Sequence, residues 1–181
     1  MTFRRRALAL VVAGALAFGV AGCSGHPAAT PSTPTPAFTS DAAAYAAAEK
    51  VYRDYVDALN QVDLADPKTF EPVFALTTGD ANAADRKGLS RYHADGVTID
   101  GISIIKLLEP SDVSTDRERV DLAACVDVSG VRLTNTDGTS AVDIDRVPTQ
   151  TVTVSLVADR STDFAYRVER VAGREGPPAC E

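Results

Sequence analysis

The apolar residues of this chain change their spacing once, near residue 97, and that change narrows the folds open to it. Before it, apolar side chains recur at steps of three and four; after it, at steps of two. Ser40 or Asp41 is placed to cap a first helix whose inward face carries Tyr45, Ala48, Tyr52, Tyr55, Leu59 and Val62. The stretch Asp63-Leu-Ala-Asp66-Pro67 ends that helix. A short second one over Pro67 to Thr77 buries Phe70, Val73 and Phe74. A third begins at Gly79-Asp80 and runs to about His93, interrupted at Gly88 and stopped by Asp95-Gly96.

The strands follow. Val97 and Ile99 alternate, as do Ile102 and Ile104, and the phase slips by one at Asp100-Gly101, where a bulge or bend is expected. Val120, Leu122, Ala124, Val126 and Val128 share one face, as do Val152, Val154 and Leu156, and then Phe164, Tyr166 and Val168. Strand ends are read at Glu109-Pro110-Ser111-Asp112, Ser129-Gly130, Asp137-Gly138 and Asp159-Arg160-Ser161. Val131 to Val147 offers one or two weaker strands around the turn at Asn135-Thr-Asp137-Gly138. Helices first and half-buried antiparallel strands after them predict an α+β fold, with N-terminal helices packed on a curved antiparallel sheet.

Hydrophobic residues at 45% and charged residues at 24% describe an ordinary folded domain rather than a disordered chain. Removing Arg4, Arg5 and Arg6 from the 18 basic residues leaves 15 against 25 acidic ones, a net charge of about −10. An acid excess of that size argues against nucleic acid as a partner, since replacing phosphate counterions takes a surplus of Lys and Arg.

Those three arginines open a leader. The uncharged apolar stretch from Ala7 to Val20 is 14 residues long. That is short of the ~20 a spanning helix needs, so it reads as a secretory signal. It ends in Val20-Ala21-Gly22-Cys23, which resembles the bacterial lipobox. The resemblance implies cleavage after Gly22 and a diacylglyceryl group on the sulfur of Cys23. It also implies attachment to the outer face of the cytoplasmic membrane by acyl chains worth about 0.8 kcal/mol per buried CH₂. The alternative is a plain leader cleaved near Ala21 with Cys23 incidental; the twin-arginine export pattern is incomplete. From Cys23 to Ser40 the chain is rich in Pro, Thr and Ser, with Pro27, Pro31, Pro34 and Pro36, and reads as a disordered, semi-extended tether. At ~3.1 Å per residue it spans up to roughly 50 Å. His26 lies in it and takes no site role. The organisation expected is a signal peptide at 1–22, a lipidated linker at 23–40 and one domain at 41–181.

The order of elements, the Tyr52-Arg53-Asp54-Tyr55-Val56-Asp57-Ala58-Leu59 stretch and the Ala124-Cys125-Val126-Asp127 strand resemble the NTF2-like (SnoaL-like, cystatin-like) cone. The likeness is to the small secreted lipoproteins of actinobacteria that carry such a domain after a tether. It implies a fold, and no catalytic motif comes with it. If Cys23 is acylated, Cys125 and Cys180 remain as one possible pair in an oxidising compartment. The alternation puts Cys125 on the face away from the valines, so a bridge draws the tail across that face. Two free thiols, or Cys180 paired to another protein, are the other readings.

His93 is the histidine of the folded part. NTF2-like enzymes often place an Asp, His or Tyr between sheet and helices, so a pocket of His93, Tyr52 and Tyr55, with Tyr45, Tyr92, Asp95 or Asp100, is the acid–base candidate. Against it stands an imidazole near a helix C-terminus, where it meets the dipole or solvent, and tyrosines spaced as core residues with hydroxyls reaching the surface. An EF-hand alignment over Asn135 to Asp145 sets Leu133 at the first ligand position and Ile144 at the twelfth, so no metal site is assigned. No cofactor motif and no catalytic residue is assigned either. The function expected is a non-enzymatic, lipid-anchored accessory domain of the cell envelope that binds a protein partner. A small-ligand module using the cone's pocket is the alternative, followed by a SnoaL-like isomerase or hydrolase. Homodimer formation through the open sheet face is left open.

Overall fold

A computed structural model describes residues 38–180. The leader, Cys23, His26 and the linker up to residue 37 lie outside the described residues, and with them the signal-peptide, lipidation and tether expectations. Helix α1 spans Asp41–Asn60, and the Ser40 hydroxyl caps it by accepting the Ala43 N–H at 3.2 Å. It buries Ala44, Ala48, Val51, Tyr52, Tyr55, Val56 and Ala58. Asp66 then caps a 3₁₀ turn at Pro67–Phe70, and α2 at Glu71–Leu76 sets Val73, Phe74 and Leu76 inside.

Helix α3 runs unbroken over Gly79–Ala94, so the interruption expected at Gly88 does not occur. A glycine inside a helix keeps its N–H and lowers propensity by only about 1 kcal/mol relative to alanine, too little to divide a helix held by packing.

The sheet has order β2-β3-β5-β6, all antiparallel, with β2 at Ile104–Val113, β3 at Arg119–Asp127, β5 at Thr149–Ala158 and β6 at Tyr166–Gly173. A two-stranded ribbon, β1 at Thr98–Asp100 with β4 at Arg132–Thr134, stands beside it. The alternation read from the sequence decides which face goes in: Val120, Leu122, Ala124, Val154, Leu156, Tyr166 and Val168 are all fully buried under the helices. Three helices on one face of an antiparallel sheet is the α+β layout expected.

The phase slip at Asp100-Gly101 is a sharp bend. Gly101 has φ +82°, and a Cβ there would lie 2.0 Å from the Gly130 carbonyl oxygen, so only glycine fits. Asn60 at the end of α1 holds the far side of the bend, donating to the Ser103 carbonyl at 2.9 Å and accepting the Ser103 N–H at 2.8 Å. Ile102 and Ile104 emerge on the exposed side.

Strand β2 continues through Glu109-Pro110-Ser111-Asp112 to Val113, where the sequence predicted its end. An edge strand has one side without ladder partners, so a missing N–H is tolerated there, and a register shift between Pro110 and Asp112 absorbs the misfit.

Helix layer and sheet are stitched by polar contacts as well as by the core. Fully buried Thr77 donates to the Val73 carbonyl and accepts from Asn82 at 2.9 Å, while the Thr78 N–H donates to the Val168 carbonyl at 2.8 Å. At the start of the described chain Phe38 stacks on Tyr166 with ring centroids 5.2 Å apart. The Tyr166 hydroxyl donates to the Arg117 carbonyl at 2.7 Å, and the Arg117 guanidinium pairs with Asp41. Packing therefore reaches three residues ahead of the helix, to Phe38.

Cys125 and Cys180 are joined, their Cα atoms 5.5 Å apart, and the tail crosses the outer face of β3 as the alternation required. Arg174 folds the tail on itself by donating to the carbonyls of Gly176 at 2.6 Å and Pro178 at 2.7 Å.

Two stability measurements check this account. Cys180→Ser opens a loop whose ends are 55 residues apart, and urea unfolding should show a loss of up to about 4 kcal/mol in the chain-entropy model. Gly88→Ala, with nothing within 4 Å of the added methyl, should raise stability by about 0.5–1 kcal/mol in the same assay.

Candidate functional site

The residues named from the sequence do not converge. Tyr52 and Tyr55 sit inside α1's packed face, with ring centroids 6.1 Å apart. Burial pushes the Tyr52 hydroxyl up to about 12. His93, in the last turn of α3, is exposed. Its Nδ1 lies 2.7 Å from the Leu64 carbonyl oxygen, which can only accept, so Nδ1 carries the proton and donates. The ring also meets Phe70 edge-on, with centroids 6.3 Å apart. His93 thus fastens the end of α3 to the loop after α1. Asp95 is the C-cap residue of α3, and Asp100 stands opposite Arg132 at the end of β1.

His93 does line a depression of about 450 Å³, with Asp63, Leu64, Val97, Thr98 and Ile99 among its other walls. This is a surface depression where α3, the loop after α1 and β1 meet, and it is not the space between helices and sheet. That interior is filled: Tyr52, Tyr55, Phe70, Phe74 and Tyr166 are all buried there with the aliphatic core. A second depression of about 520 Å³ lies over α1 and α2, between Asp57, Gln61, Thr69 and Pro72.

The titratable group that sequence reasoning missed is Asp85. It is half-buried on α3, where the Tyr55 hydroxyl donates to its Oδ1 at 3.2 Å while Oδ2 is shielded with no hydrogen-bond partner. Burial raises the carboxyl to about 6, and the bond from Tyr55 offsets part of the effect. The same burial, with Asp85 alongside, holds the Tyr55 phenol protonated far above its ordinary range. The Tyr55 hydroxyl accordingly turns inward rather than to the surface. A signal was present in the sequence: Ala81, Asp85, Leu89 and Tyr92 share one helical stripe, and an acid in an apolar stripe is conspicuous. Asp85 walls neither of the two depressions just described.

The acids at Asn135-Thr-Asp137-Gly138 are used locally. Thr139 donates its hydroxyl at 2.6 Å and its N–H at 2.9 Å to Asp137 Oδ1, which keeps that carboxyl below the usual range. Asp159 is held low in the same manner by Ser161, with Arg167 beside it. Among the described residues no group of three or more His, Cys, Asp or Glu side chains is gathered to hold a metal ion, and no helix is long and apolar enough to cross a membrane.

No family model matches this chain, and no curated protein is similar to it in sequence. Its likenesses are structural. The intermembrane space region of the chloroplast protein ARC6 superposes with a TM-score of 0.50 at 14% identity, over 71% of this chain and 95% of that one. Aln2 from a Streptomyces species gives 0.41 at 15% identity over 71% and 87%. A protein from Catenulispora acidiphila gives 0.46 at 19% identity over 73% and 92%. At 14% identity the likeness to the ARC6 region is one of fold alone. Three helices followed by a curved antiparallel sheet is the layout that the NTF2-like resemblance implies.

The pH dependence of stability tests the reading of Asp85. Its carboxyl is raised from 3.8 to about 6 in the folded chain, so the folded state holds the proton more tightly than the unfolded one. The charged form then weakens the fold above about pH 6, and the penalty is gone below about pH 4. Asp85→Asn should therefore stabilise the domain at pH 7 by about 1 kcal/mol, a figure reduced for solvent screening of a half-buried group. Denaturant unfolding at the two pH values should show that gain shrinking to nothing at pH 4.

Proposed function

We propose that this chain is a lipid-anchored, extracytoplasmic, non-enzymatic domain that binds a protein partner at the outer face of the cytoplasmic membrane. The observation that carries the reading is the filled interior: the rings of Tyr52, Tyr55, Phe70, Phe74 and Tyr166 occupy the space where a cone of this kind would otherwise hold a small molecule. The acid–base candidates are spent on structure or set apart. His93 bonds a backbone carbonyl, and Asp85 meets a core tyrosine. What recommends the anchor is the order of Arg4 to Arg6, the apolar run and Val20-Ala21-Gly22-Cys23. The acid excess keeps the domain itself off an anionic membrane surface and suits a basic partner.

A second reading, capture of a small amphipathic ligand, draws on the depression of about 450 Å³ that His93 lines. His93 turns one ring nitrogen to Leu64 and leaves the other without a partner among the described residues.

Metabolic labelling with a fatty acid, followed by detergent phase partition, tests the anchor. The wild-type chain should take label and enter the detergent phase, and Cys23→Ser should do neither. An unlabelled wild-type chain found wholly in the aqueous phase would overturn the reading.

A further inference from the structure

We infer that the end of the domain bearing Ile102, Ile104, Ile144 and Val147 is the surface that meets the protein partner, and that the partner presents an apolar socket rimmed by Lys or Arg. This deepens the partner-binding reading and rests on it. Ile144 is 96% exposed, Val147 57%, Ile102 55% and Ile104 48%. They belong to one end of the sheet: Ile104 opens β2 opposite Asp127, the last residue of β3, and Thr149, next after Pro148, opens β5 opposite the same Asp127. Exposed aliphatics scattered singly need no explanation, but four gathered at one end do.

The loop that carries Ile144 is braced from within. The Arg146 guanidinium turns into its base and donates to the carbonyls of Val128 at 3.0 Å and Val131 at 2.7 Å. The Val128 N–H donates to the Pro148 carbonyl at 2.8 Å, and the Asp145 N–H to Asp143 Oδ1 at 2.9 Å. A tip held in this way loses little freedom on docking, as an anchoring side chain should.

Charge and position choose the occupant. Ile144 stands between exposed Asp143 and Asp145, with Asp100 exposed and Asp127 half-exposed at the same end. Arg146 faces inward, and the exposed cations at this end, Arg132 opposite Asp100 and Lys106 close to Asp127, are outnumbered by these four acids. A two-fold pairing of this patch with itself would bring two net acidic surfaces together, and like charges oppose contact. An anionic bilayer is opposed for the same reason. The chain toward Cys23 also leaves the domain at Phe38, stacked on Tyr166, and Tyr166 pairs with Ala158 at the opposite end of the sheet. A basic-rimmed apolar socket satisfies both the aliphatics and their acidic flank.

The test is site-specific photo-crosslinking of the full-length chain in the cells that make it, with p-benzoylphenylalanine at position 104 and, separately, at Asp163 in the turn at the opposite end. The expected result at 104 is an adduct with a different protein whose linked peptide contains Lys or Arg. Ile144→Asp should cut its yield tenfold or more, with the thermal midpoint of the purified chain unchanged, and Asp143→Lys with Asp145→Lys should do the same. An adduct with a second copy, an adduct with lipid, or a yield indifferent to Ile144→Asp overturns the inference. An adduct from 163 with none from 104 also overturns it, while the partner-binding reading stands. No adduct from either position removes both.

Discussion

The pairing of β3 between β2 and β5 is the interaction on which the rest depends. Nine consecutive register pairs with β5, from Arg119 opposite Val157 to Asp127 opposite Thr149, hold β3 without a slip. Because side chains alternate, that register sends Val120, Leu122, Ala124 and Val126 under the helices and Cys125 to the other side. A slip of one residue would reverse both assignments. The core would lose its central strand, and the tail would lose the sulfur to which it is tied.

The helices lie against this strand system by two means. Apolar burial supplies most of the attraction and is indifferent to direction. Direction comes from a few polar ties at the margins: the Thr77–Asn82 pair and the Thr78 bond to β6, the Asn60 clasp on Ser103, and the chain of Phe38, Tyr166, Arg117 and Asp41. Each fixes a helix end or a loop against a definite residue of another segment. They also explain why the interior is full. With α1 drawn in by Ala44 and Ala48, both fully buried, the rings of Tyr52, Tyr55, Phe70 and Phe74 close the space that a cone-shaped sheet leaves beneath it. Among the described residues Ile144, on its braced loop outside this core, is the most exposed large apolar side chain.

Most of the fold was legible because it rests on periodicity, which local sequence records. The switch near Val97 separates helices from strands, the even-numbered run from Val120 to Val128 names the inner face, and the glycine at the phase slip announced its bend. Misreadings fell where a local signal was overruled by position. Pro110 reads as a strand end, yet an edge strand has one side without ladder partners and a register shift after Pro110 carries it on. Gly88 reads as a break, but tertiary packing carries α3 across it. The site was harder to read. His93 stood out by its scarcity, and its bond to the Leu64 carbonyl joins residues 29 apart, which spacing along the chain does not record.

The sequence alone determined the class of fold, the face each strand buries and the position of Cys125 opposite the valines. These follow from repeating patterns and short motifs, each read within a few residues of itself. Tertiary structure alone decided that Tyr55 turns its hydroxyl to Asp85, that Phe38 joins the core by stacking on Tyr166, and that Ile102, Ile104, Ile144 and Val147 share one end while Phe38 lies at the other. Those facts depend on distances between segments far apart in the chain, which are set only when the sheet closes its register and the helices settle on it.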